Sequence, residues 1–153
     1  MTNFEVLQII TGFLGTLGFG ILFNVRGVRL LVASIGGLFS WFLFVVLSNF
    51  IGSEAVNFFL VSLLVSIFAE IMARILKTPA TVFATLSIIP LIPGSSLYYT
   101  MAYAFESDLS SFIIKAVDTL KLAAALALGI ITAITLTKIF FNIFKPKNKV
   151  KEK

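Results

Sequence analysis

The sequence predicts an all-α integral membrane bundle of about five transmembrane helices, and three observations predict it. Hydrophobic residues make up 59% of the 153 positions and charged residues only 12%, at a mean hydropathy of +1.07. A soluble domain of this length needs far more polar surface to cover its core. The charges are also unevenly spread: residues 6–25, 30–53 and 78–105 carry none. Finally, the basic residues fall in every other link between apolar runs, as the positive-inside rule requires.

A spanning helix takes roughly 20 mostly apolar residues, and five segments qualify. They cover residues 4–23, 28–47, 55–76, 80–105 and 114–144, the fourth of them interrupted. The fifth is long enough to tilt or to project beyond the bilayer. The first link holds Arg26 and Arg29, the second Glu54 with no basic residue, and the third Arg74 and Lys77. The fourth holds Glu106 and Asp108, with Lys115 and Asp118 at the start of the last helix. Lys145, Lys147, Lys149, Lys151 and Lys153 close the chain. This alternation places the N-terminus outside and the C-terminus inside. It divides the chain into a transmembrane domain, 1–144, and a basic cytoplasmic tail, 145–153. So strong a bias also excludes a protein that inserts in both orientations. Glu5 and the lack of a basic n-region argue against a cleavable signal peptide.

The fourth segment is the most informative. Ile89-Pro90-Leu91-Ile92-Pro93-Gly94-Ser95-Ser96 is followed by Tyr98 and Tyr99. Each proline lacks a backbone donor and clashes with the carbonyl four residues back. At membrane depth such a break is tolerated where protein satisfies the freed groups or where they line a wet cavity. Gly94-Ser95-Ser96 reads as the start of a second half-helix with Ser95 or Ser96 as N-cap. The unpaired N–H groups and positive dipole end of a half-helix suit a carboxylate. Pro90, Pro93, Gly94, Ser95, Ser96, Tyr98 and Tyr99 are therefore the candidate substrate-binding residues. The plain alternative is a proline kink.

Other polar positions are read both ways. Glu70 and Arg74 lie four apart, so they share a face of the third helix. They are either a coupling pair, with Glu70 taking up a proton or Arg74 meeting an anion, or an ion pair near the surface with Arg74 snorkelling. Asn24 either caps the first helix or makes a polar contact at the cytoplasmic mouth. Lys121 and Lys138 read as snorkelling side chains. Small residues at three- and four-residue spacings (Gly12, Gly15 and Gly18; Gly36 and Ser40; Ala125 and Gly129) let helix backbones approach closely.

The sequence excludes several chemistries. It has no cysteine and no histidine, which removes thiolate chemistry, the commonest metal ligands and the commonest general base. No metal, no cofactor and no enzyme activity is expected. Gly94-Ser95-Ser96 is not a nucleophile elbow, Asp108 and Asp118 fall in the predicted external region, and no P-loop is present.

Phe23-Asn24-Val25, Gly36-Gly37 with Trp41, Ala73-Arg74, Lys77-Thr78-Pro79 and the Ile89-to-Gly94 break together resemble the threonine/serine exporter family, in its small YjjB-type membrane subunit. The resemblance covers nearly the whole chain. One departure is Arg26-Gly27, where the family commonly continues with proline; it bears on the geometry of the first cytoplasmic turn. The resemblance implies a subunit of a secondary exporter in the bacterial cytoplasmic membrane, moving small amino acids such as threonine and serine. A related two-subunit branch implies succinate or another dicarboxylate instead. It further implies a hetero-oligomer with a separate, larger YjjP-type membrane subunit. A non-transporting assembly subunit is the remaining reading. Nothing in the charge pattern points to nucleic acid.

Overall fold

A computed structural model describes residues 3–106 and 108–143. The lysines of the basic tail lie outside them. Six helices follow one another: α1 (Asn3–Leu22), α2 (Val28–Ser48), α3 (Glu54–Ile75), α4 (Ala80–Ile88), α5 (Gly94–Phe105) and α6 (Leu109–Ile143). A 3-10 turn, Ile89–Leu91, joins α4 to α5. Helices α1, α2, α3 and α6 are each long and apolar enough to cross a membrane. The α4–α5 pair passes the same test taken together but is bent by 60° at the break, the geometry of a broken fifth span or of a re-entrant loop.

Two of the helices end in the same device. At the end of α1, Val25 N–H donates to Gly20 O and Asn24 N–H to Ile21 O, both at 2.9 Å. At the end of α3, Thr78 N–H donates to Ala73 O at 2.9 Å and Lys77 N–H to Arg74 O at 3.4 Å. These paired bonds are Schellman caps, which place one residue in the left-handed region. Asn24 sits there at φ 57° and Lys77 at φ 48°. The arrangement turns the chain sharply at both basic links.

Helix α4 occupies the middle of the bundle. Its Phe83 and Leu86 pack with Ala33 of α2 and with Ala69 and Ala73 of α3. A second cluster joins Phe58, Val61 and Val65 of α3 to Ile88, Leu91 and Leu122. Helix α3 also packs along α6, and α1 along α2. Lipid tails are as apolar as these side chains, so close van der Waals fit, rather than escape from water, holds such contacts. Small residues supply the fit. A Cβ on Gly36 would run into Ser87 Oγ, one on Gly37 into Thr16, and one on Gly129 into Ser62 Oγ and Phe59 O. Gly15 and Gly18 face open space instead, so the expected run of three glycines on α1 is split. Only Gly12 of that run meets α2, at Trp41.

The last helix begins at Leu109, five residues before the expected start. Asp108 explains this, because its Oδ1 accepts the Ser111 N–H at 3.1 Å and so caps the first turn. At about 1.5 Å per residue its 35 residues extend roughly 50 Å, well beyond the hydrocarbon thickness.

Candidate functional site

The break is built from missing donors. Pro90 has no N–H for the carbonyl four residues back, and Ile89 N–H donates to Leu86 O in its place. Ile92 N–H then closes onto Ile89 O at 3.2 Å, and Gly94 N–H onto Ile92 O at 2.6 Å. Pro93, also without an N–H, leaves Pro90 O no partner three residues on. Helix α5 starts at Gly94 with Pro93 as its N-cap and no side-chain cap. The expected capping by Ser95 or Ser96 is therefore corrected. Pro93 sits at φ −72°, near the value its ring imposes. Its carbonyl already accepts Leu97 N–H at 3.0 Å, and both serines fall inside the first turn. The first-turn N–H groups of α5 thus have no side-chain partner.

The residues around the break do not converge on one enclosed site in this chain. Pro90 lines a cavity of about 340 Å³ with Gln8, Thr11, Gly12 and Trp41. Leu91 is buried, while Gly94, Ser95, Tyr98 and Tyr99 are exposed. The two tyrosine rings stack edge-on, 5.4 Å between centroids. No residue of α5 is buried, and the helix packs chiefly on α6. One bond ties the two together, Thr100 Oγ1 to Thr119 Oγ1 at 3.1 Å.

Glu70 and Arg74 form an ion pair at 3.5 Å. The guanidinium carbon of Arg74 also sits 3.8 Å from the centre of the Phe141 ring, a cation–π contact with the last turn of α6. Glu70 is 14% exposed and Arg74 43%. The pair shares no lining residue with the Pro90 cavity. It joins α3 to α6 at the end of the bundle that carries the basic links.

Those links meet in space. Asn24, Val25 and Arg26 of the first link and Arg29 of the first turn of α2 line a cavity of about 380 Å³ with Thr78 of the third link and Val82 of the first turn of α4. Asn24 is both the helix cap and a wall of this cavity, and its Oδ1 accepts Arg26 Nε–H at 2.9 Å. At the opposite end Asn57 Nδ2 donates to Phe44 O at 3.1 Å, tying α3 to α2. The alternation read from the charges is thus an alternation of bundle ends.

The chain matches the family model described as Threonine/Serine exporter, ThrE, over residues 8–136. It belongs to the threonine/serine exporter family. No curated protein and no solved structure matches it. Membership makes it a multi-pass membrane protein of a transporter family, and the matched region runs from the first turns of α1 to the last third of α6.

Within this exporter-family bundle, sequence reasoning missed a set of closed-off polar atoms. Trp41 Nε1, Asn57 Oδ1, Ser66 Oγ and Ser87 Oγ are shut from solvent with no hydrogen-bond partner. Most helical serines and threonines return a bond to a carbonyl three or four residues back, as Ser34, Ser40 and Thr16 do. Nothing in the residue types distinguishes Ser66 and Ser87 from these. The basic-end cavity was half visible: Asn24 was singled out, but Arg26 and Arg29 entered as topology signals, Arg26 also as the departure from the family pattern, and Thr78 only as part of that pattern. Their joint appearance in links one and three was the available clue.

Proposed function

We propose that this chain is one subunit of a secondary exporter that moves small amino acids of the threonine/serine type out of the cell, together with a separate, larger membrane subunit. Family membership over most of the chain is the observation that carries the reading. The shape of the molecule supports it. Helix α1 buries only Ile9, Thr16 and Gly20, and α5 buries nothing. Helix α1, helix α5 and the Gly94 end of the break therefore present uncovered faces of the bundle, where a second subunit would complete a site. Repeat-built carriers place their substrates at such an interface near mid-membrane, against the ends of discontinuous helices. In this reading the uncapped start of α5 at Gly94 takes the substrate carboxylate, with Ser95, Ser96, Tyr98 and Tyr99 around it. The basic end faces the cytoplasm.

Efflux from loaded cells tests this. Cells expressing this chain, its larger partner, or both are loaded with a threonine-containing dipeptide or with succinate. Threonine efflux only with both chains is the expected result. Faster succinate efflux would reassign the substrate to dicarboxylates. No efflux from cells in which both chains insert and associate would leave an assembly role.

A further inference from the structure

The cavity at the basic end has no part in the substrate site proposed above, and its composition is unusual. Its lining holds Arg26, Arg29, Asn24 and Thr78, and no carboxylate. Arg29 lies in the first turn of α2, a helix with Gly27 as its N-cap and no side-chain cap. Helix N-termini favour acidic residues, because the first N–H groups are unpaired and the dipole is positive there. This one carries an arginine. Helix α4 also opens beside the cavity, which Val82 of its first turn lines, and it too has no side-chain cap and no acidic residue in that turn. Two guanidinium groups and two helix starts thus put positive charge around one space.

The walls are held firmly. The two Schellman caps fix Asn24-Val25 and Lys77-Thr78 against the ends of α1 and α3. Asn24 accepts from Arg26 Nε, which orients that guanidinium and leaves its two terminal nitrogens to donate. Glu70, a carboxylate of the same end, is engaged by Arg74.

We propose that this cavity binds an oxyanion, held by the forks of Arg26 and Arg29 with Thr78 and the opening turns of α2 and α4 around it. Guanidinium groups match the planar oxygens of a carboxylate or the oxygens of a phosphate. Two sources supply that chemistry: the carboxylate of an exported solute waiting at the entrance, or the phosphate of an anionic lipid headgroup. The solute source rests on the exporter reading; the lipid source does not.

The test is equilibrium binding to the purified full chain in neutral detergent, with threonine, succinate and short-chain phosphatidylglycerol as separate probes. The double variant Arg26→Gln, Arg29→Gln should weaken the best-binding probe at least tenfold. Lys121→Gln with Lys138→Gln removes the same charge from α6 and should leave binding unchanged. Arg29→Lys keeps the charge but loses the fork and should fall between, which serves if the double variant folds poorly. Equal weakening in both double variants, or no binding of any probe, overturns the proposal. Preference for threonine or succinate makes the cavity a solute entrance, and preference for phosphatidylglycerol makes it a lipid clamp. Wild-type binding without any cellular efflux would sink the exporter reading and leave the oxyanion site standing.

Discussion

Lys77 and Asn24 occupy the same left-handed position in equivalent caps, and the two residues are not equally suited to it. Asparagine tolerates that region, whereas a lysine there costs about 1 kcal/mol. Lys77→Gly removes the cost but adds chain entropy to the unfolded state, so a net gain of roughly 0.5 kcal/mol is expected. Lys77→Val removes the same charge and puts a branched side chain at φ 48°, so a loss of about 1–2 kcal/mol is expected. Melting midpoints of the two variants in one detergent check this, and equal midpoints would refute the strain argument. Asp108 gives a pH-dependent counterpart. Hydrogen bonds from the Ser111 side chain and backbone N–H hold its carboxyl below the usual value of 3.8. A lowered carboxylate stabilises the fold above that usual value, and the contribution is lost as pH falls through the lower folded value. The protection of the Ser111 and Phe112 amides, taken relative to the intrinsic exchange rate at each pH, should therefore fall on acidification. Asp108→Asn, which caps without titrating, should abolish that fall.

At the scale of elements, the helix crossings differ in how much they can yield. At the α2–α4 crossing, a Cβ on Gly36 meets the hydroxyl of Ser87 and also the Phe68 ring edge at 3.2 Å. Side chains can shift, so Gly36→Ala should cost about 1–3 kcal/mol, and Ser87→Gly should recover part of it. At the α3–α6 crossing, a Cβ on Gly129 meets Phe59 O at 2.5 Å and Leu63 N at 3.1 Å. Backbone atoms do not move aside, so Gly129→Ala should cost more and no side-chain change should rescue it. Midpoints for these three variants and the Gly36–Ser87 pair decide the order; a Gly36→Ala variant as damaged as Gly129→Ala would contradict it. These crossings also show where the sequence stopped being legible. Span positions were readable because apolar length and charge-free runs are direct consequences of the bilayer. The break was readable because proline removes a donor whatever its surroundings. The start of α6 was missed although Asp108 offered a cap, since Asp108 and Glu106 read as link residues and the apolar run of the last helix becomes continuous only further on. Which small residues face a neighbour was not readable at all. In lipid both faces of a helix are apolar, so periodicity carries no inside-outside contrast, and Gly36, buried against α4, looked no different from Gly15, which is open.

For the whole molecule, this difference between Gly36 and Gly15 separates folding from assembly. Bulky residues at Gly36 damage the chain itself, so they say nothing about a partner. Gly15 and Gly18 have nothing within 4 Å of an added Cβ, and neither does Gly94. Leucine at any of these three should leave insertion and the melting midpoint of the isolated chain unchanged. Their effects should diverge once the second subunit is present. Small residues on an open face of α1 permit close backbone approach by another helix, so Gly15→Leu with Gly18→Leu should prevent co-purification of the larger subunit and abolish export as a result. Gly94 opens α5, and leucine there would crowd the N–H groups proposed for the substrate carboxylate, so Gly94→Leu should leave co-purification intact while export is lost. Measuring co-purification and efflux on both variants distinguishes an assembly face from a transport site. Loss of co-purification in Gly94→Leu would move the subunit interface to the break. Normal export in that variant would remove the start of α5 from the substrate path.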